Sequence, residues 1–174
     1  MHRDRIFFLA LQLALGPAVL GTYAFGFAHW PGTVAAMWGG VPDAVRGVYT
    51  GWMFVAAAGY LVFTPALFLH ASPLRSRVAG GLPYTALHAM YAAVLGGSAL
   101  WMPLTKWHLD GAVPFALVVL DLALVAAGSL ALFATTLSLT PPLPGAWRTA
   151  ARLGAAAFCV QTVLLDAIAW PLWW

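Results

Sequence analysis

Charge is what this chain has least of. Asp, Glu, Lys and Arg together make up 7% of its 174 residues, and glutamate does not occur. A soluble domain carries about 25% charged residues, so this chain has too few to cover a globular surface in water. Cysteine is also nearly missing. The one cysteine, Cys159, lies inside an apolar run, which excludes an intrachain disulfide and a CxxC metal or redox site and leaves the reading of a small buried hydrophobe. No HExxH, P-loop or GxSxG signature occurs. Carboxylate catalysis would have to use Asp121, Asp166 or the loop aspartates Asp43 and Asp110. The net charge of +3 is no nucleic-acid signal, because the basic residues sit at the ends of apolar runs and never form a patch.

What is present in quantity is hydrophobic: 63% of the residues, with a mean hydropathy of +0.87. Such a chain belongs in lipid, where only helices or closed barrels span. Barrel strands alternate apolar and polar residues. Here the apolar runs are long and continuous, so the expected fold is an all-α membrane protein, a five-helix transmembrane bundle in one domain. A span takes about 20 mostly apolar residues. The predicted spans are residues 6–28, 48–70, 82–104, 112–137 and 148–170. Gly16-Pro17 is expected to kink the first. Pro141, Pro142 and Pro144 separate the last two, since proline cannot continue a helix. The basic start could pass for a signal peptide, but its apolar stretch is too long for an h-region, so it reads as an uncleaved first helix.

Orientation follows from Lys and Arg. With the N-terminus inside, Arg3, Arg5, Arg75, Arg77, Arg148 and Arg152 all fall inside, against Arg46 and Lys106 outside. The expectation is N-in and C-out. The histidines His2 and His70 fall near the inner interface, and His29 and His108 near the outer one. Most tryptophans, among them Trp30, Trp101, Trp107 and Trp170, map to the outer level, where indoles prefer the headgroup zone. The Ala-, Gly-, Pro- and Arg-rich usage suits a bacterial inner membrane. Small residues permit close helix approach in lipid: Gly47 and Gly51 form a GxxxG spacing, and Gly59 and Gly96-Gly97 extend the theme. Ordinary packing within the chain and a homodimer face are the two readings of that spacing.

Charged and polar groups within a span need a reason, since a charge there costs at least about 2.5 kcal/mol. Asp121 falls near the middle of the fourth span and Asp166 in the outer half of the fifth, at similar depth. Gln161 is five residues before Asp166 and so is expected to be offset from it around an α-helix. Tyr60 and Ser98 lie in the second and third spans. These groups could converge on one cavity as a ligand or proton site, or form a polar clasp between helices. His88, flanked by Tyr84 and Tyr91, is a candidate to grip a porphyrin edge or a metal, although nothing supplies a second ligand at helical spacing.

Several short motifs bear on family. Trp38-Gly-Gly-Val-Pro42 leads into Val48-Tyr49-Thr50. The third span ends Ser98-Ala99-Leu100-Trp101-Met102-Pro103-Leu104. Pro141-Pro142-Leu143 precedes Trp147, and Leu165-Asp166 closes the set. This pattern resembles the TspO/MBR (translocator protein, peripheral benzodiazepine receptor) family over nearly the whole chain. It departs from the family at Tyr49 for Trp, Ser98 for Asn, Pro142 for Tyr and Asp166 for Asn. The interval from Trp147 to Asp166 is also longer than in the family. The resemblance implies a five-helix bundle, often dimeric, that binds porphyrins, sterols or similar molecules in a pocket under the first loop. Trp38, Tyr49, Trp52, Trp101 and Asp166 would line it, and the tetrapyrrole would be the implied cofactor-like ligand.

Three functions remain in play. The first is binding or transport of a small hydrophobic molecule, with membrane lipids as its surroundings. The second is a structural or assembly subunit of a larger membrane complex, which predicts no cavity and an Asp121–Asp166 clasp. The third is an intramembrane lipid isomerase, for which Asp121 with His88 is the only acid–base pair. The first is preferred, and a non-enzymatic role with it.

Overall fold

The computed structural model describes residues 3–174. His2 lies outside the described residues. Helix α1 covers Arg3–His29, the short α2 Pro31–Ala36 and α3 Asp43–His70. A two-residue hairpin pairs β1 (Arg77–Val78) with β2 (Leu82–Pro83). Helix α4 is Ala86–Leu109 and α5 is Phe115–Ser138. The last helix, α6, begins α-helical at Gly145–Cys159, widens into a π-helical stretch at Val160–Ala169 and tightens to a 3-10 turn at Trp170–Trp173. Five of these helices are long and apolar enough to cross a membrane.

Proline sets several of the helix starts. Pro42, Pro114 and Pro144 each sit in extended backbone just before α3, α5 and α6. Proline there sacrifices no intrahelical hydrogen bond. Helix α1 continues unbroken through Pro17. The first loop is shorter than the sequence suggests: α2 forms inside it and α3 starts at Asp43 rather than residue 48. The turn expected at residues 105–111 is mostly helical, because α4 runs on to Leu109.

Around the bundle α1 packs on α4, α4 on α5, α5 on α6 and α6 on α3. Glycine permits the closest of these crossings. A β-carbon at Gly59 would sit 2.4 Å from the carbonyl oxygen of Gly154, and one at Gly154 would sit 2.7 Å from that of Gly59. The α4–α5 contact relies in the same way on Gly97 and Gly128. The predicted GxxxG pair behaves differently, since nothing lies within 4 Å of a β-carbon at Gly47 or Gly51. Those two glycines take no part in packing within the chain.

The remaining pair, α1 and α3, meets only at one end. There Phe8 stacks on Phe68, Arg5 donates to the Ala71 carbonyl, and Tyr60 donates to the Gln12 side-chain carbonyl. Towards the other end, where Tyr23 and Tyr49 lie, the two helices diverge. The bundle is thus a ring of five helices with a V-shaped cleft between its first and second spans. The main core fills the closed end with Phe63, Leu67, Tyr84, Leu87 and Tyr91, all essentially inaccessible. A second, smaller core of Val41, Tyr49, Val118, Leu122 and Trp170 closes the wide end.

Candidate functional site

The cleft contains a cavity of about 520 Å³. That volume is in the range of small-molecule sites, about 300–1,000 Å³. Helix α1 gives it Val19, Leu20, Tyr23 and Phe27, and α3 gives Tyr49, Thr50, Met53 and Phe54 with Ala56 and Ala57. The back wall is Ser98, Trp101 and Met102 from α4 together with Gln161, Thr162 and Asp166 from α6. The α2 segment covers the wide end with Val34, Met37 and Trp38. Leu20 and Phe54 stand on the facing rims and are each 73% exposed, so the cavity opens sideways between α1 and α3.

Aromatic rings dominate the wide end. Tyr23 stacks on Trp101 with centroids 5.9 Å apart, Trp101 meets Trp170 edge-on at 6.0 Å, and Trp38 meets Tyr49 edge-on at 6.2 Å. The cover is tied down at two points. The Trp170 indole donates to the Met37 carbonyl at 3.0 Å, and the Gly40 amide donates to the Trp173 carbonyl at 2.8 Å. Gly39 has a φ of +54° and lies against the Trp174 indole, where a side chain would meet both backbone strain and a collision. The C-terminal turn and the first loop therefore hold each other in place over the cavity.

Three of the five polar groups, Ser98, Gln161 and Asp166, meet at one spot. Gln161 Nε2 donates to Asp166 Oδ1 at 2.7 Å. In an α-helix two residues five apart point about 140° away from each other, and that was the basis for expecting them to be offset. The π-helical backbone overturns this: its i→i+5 hydrogen bonding brings positions five apart onto one face. A small side chamber of about 70 Å³ adjoins this pair, lined also by Ser98, Tyr23 and Thr162.

Of the residues singled out from sequence, Trp38, Tyr49, Ser98, Trp101, Gln161 and Asp166 line the cavity. Trp52, Tyr60 and Asp121 do not. The Trp52 indole turns towards α6 and donates to the Ala157 carbonyl at 3.2 Å. Tyr60 closes the narrow end of the cleft through Gln12, and its ring packs among Phe63, Tyr91 and Phe158. Asp121 is inserted between α4 and α5, beside the space left by Gly97, where a β-carbon would lie 3.1 Å from its Oδ1. Its Oδ2 is buried with no hydrogen-bond partner, and no hydrogen bond joins it to Asp166. The clasp between the two acids is not formed.

His88 is occupied locally. Its Nε2–H donates to the Asp4 carbonyl at 3.1 Å, and its ring lies against Phe7 and Tyr84. Among the described residues no group of three metal-ligating side chains comes together. His88 also stands at the closed end, whereas Asp121 is opposite Gly97, so the pair required for an isomerase is not assembled.

Sequence reasoning missed Tyr23, Met53 and Thr162 as lining residues. Tyr23 offered a signal, being a tyrosine in an otherwise apolar first span. Thr162 offered one by adjoining Gln161. Met53 offered none.

No family model, curated protein or solved structure matches this chain. The ring of five helices, each long and apolar enough to cross a membrane, with a laterally open cavity defines the class: an apolar helical bundle with an internal chamber.

Proposed function

We propose that this protein binds a small hydrophobic molecule that enters its cleft sideways from the bilayer, and that it carries or presents that molecule within the membrane. The carrying observation is the cavity of about 520 Å³ between α1 and α3, walled by aromatic and aliphatic side chains and open on the face that lipid would contact. A subunit built only for assembly has no use for such a space. The lining by Trp38, Tyr49, Trp101 and Asp166 under the first loop fits the pocket implied by the TspO/MBR resemblance, and porphyrin, sterol or lipid-like ligands are the corresponding candidates.

The N-terminus is assigned to the inside. Six arginines gather at the closed end of the bundle, while Arg46 and Lys106 stand at the wide end. The cavity then lies in the outer half of the membrane, which we assign to a bacterial inner membrane from composition.

The test is gentle purification followed by an absorption spectrum and mass spectrum of what accompanies the protein. A stoichiometric tetrapyrrole or lipid supports the proposal. Ser98→Leu, which puts bulk into the back wall, should lower its occupancy at least tenfold while leaving the bundle folded. Co-purification of other polypeptides with no small molecule would favour the assembly-subunit reading instead.

A further inference from the structure

Asp166 presents a charge problem that the hydrophobic reading leaves open. It lines an apolar, lipid-facing cavity, and no Lys or Arg lines that cavity with it. The two cations at the wide end of the bundle are engaged elsewhere. Arg46 pairs with Asp43 at 2.8 Å, donates to the Val41 carbonyl and lies over the Trp38 ring, while Lys106 pairs with Asp110. An ionised carboxylate in such a place is costly, so it takes up either a proton or a cation. Gln161 donates to Asp166 Oδ1, and among the described residues the buried Gln161 Oε1 beside it is without a partner.

The surroundings suit one kind of cation. Tyr23, Trp101 and Trp170 form a contiguous aromatic wall on the same cavity, and aromatic faces attract alkylammonium groups through their quadrupoles. The chamber of about 70 Å³ beside Asp166 has room for a compact head, and the cavity of about 520 Å³ has room for an apolar body. A metal ion is not favoured, because among the described residues no second carboxylate, cysteine or histidine lines the space with Asp166. A neutral alcohol would satisfy a hydrogen bond but would give no counter-charge to an ionised Asp166.

We propose that the natural ligand class is a lipophilic amine, bound with its protonated nitrogen on Asp166 and its apolar body between α1 and α3. This rests on the cavity being a ligand site. It adds that Asp166 with its aromatic neighbours selects the head group.

The test compares N,N-dimethyldodecylamine with its uncharged carbon isostere 2-methyltetradecane and with dodecanol, by calorimetric titration of the protein in maltoside micelles at neutral pH. The Ser98→Leu protein serves as the blank for partition into micelles. The amine is expected to bind at least tenfold more tightly than either neutral compound, the scale set by one charge-assisted hydrogen bond. Asp166→Asn is expected to erase that preference and leave the affinity for 2-methyltetradecane unchanged. Equal binding of all three by the wild-type protein overturns the head-group assignment and leaves the hydrophobic cavity standing. Binding of none overturns both. The wild-type comparison decides the matter even if the Asp166 variant does not fold.

Discussion

The α3–α6 crossing gives the sharpest test of the fold. At Gly59 an added methyl would lie 2.4 Å from the Gly154 carbonyl oxygen and 3.1 Å from that residue's α-carbon. Ordinary contact begins near 3.4 Å, so the helices must separate by about 1 Å or the methyl must overlap backbone that cannot rotate away. Overpacking of this kind costs about 1–3 kcal/mol. Gly51, on the same helix, has nothing within 4 Å of its would-be β-carbon. Comparing Gly59→Ala with Gly51→Ala cancels the helix-propensity difference between Gly and Ala, which is common to both. At about 2–4 °C per kcal/mol for a chain of this size, Gly59→Ala should melt roughly 2–12 °C below Gly51→Ala in the same detergent, measured by intrinsic fluorescence. Because Ala56 and Ala57 lie less than a turn from Gly59 and line the cavity, the wedge should also alter ligand occupancy. Equal melting of the two variants would refute the close crossing, and with it the placement of α6 behind the cleft.

Other outcomes follow from single contacts. Tyr60→Phe removes the hydrogen bond that closes the cleft and leaves the half-buried Gln12 side chain without its partner; a loss of about 1–3 kcal/mol in stability and faster ligand exchange are expected, read by thermal melting and dissociation kinetics. Trp52→Phe loses the bond to the Ala157 carbonyl together with part of a half-buried ring, so stability should fall by at least about 0.5–1.5 kcal/mol with ligand affinity unchanged, whereas Trp101→Phe should weaken ligand binding in titration. Arg152 donates to the carbonyls of Thr136 and Leu137 at the end of α5, and Arg152→Met should lower the melting temperature by a few degrees and speed amide exchange in the residues that follow α5.

Much of the polar site was readable, though not its arrangement. Gln161 and Asp166 stood out because amide and carboxyl groups are rare in apolar runs, yet an α-helical period set them on different faces. Only the widened turns of the π-helical stretch bring them together. Asp121 stands out for the same reason, but its rotation about α5 points it at Gly97 rather than into the cavity. Tyr60 is recognisably polar within a span, but its partner Gln12, across the cleft in α1, lies 48 residues away, a contact that no local pattern reveals. The Gly47–Gly51 spacing illustrates the converse: a packing motif by sequence that packs on nothing within the chain.

The sequence by itself determined that this chain forms apolar helices of membrane-spanning length, where they begin and end to within about five residues, and which side chains are costly in lipid. Those properties are sums over neighbouring residues, with hydropathy accumulating along a run and proline acting at its own position. The tertiary structure alone decided which helices touch, that α1 and α3 part at one end, and which polar groups share a space. Those depend on the rotation of each helix about its axis and on close approach at a few glycines far apart in the chain, and neither is encoded in any one segment.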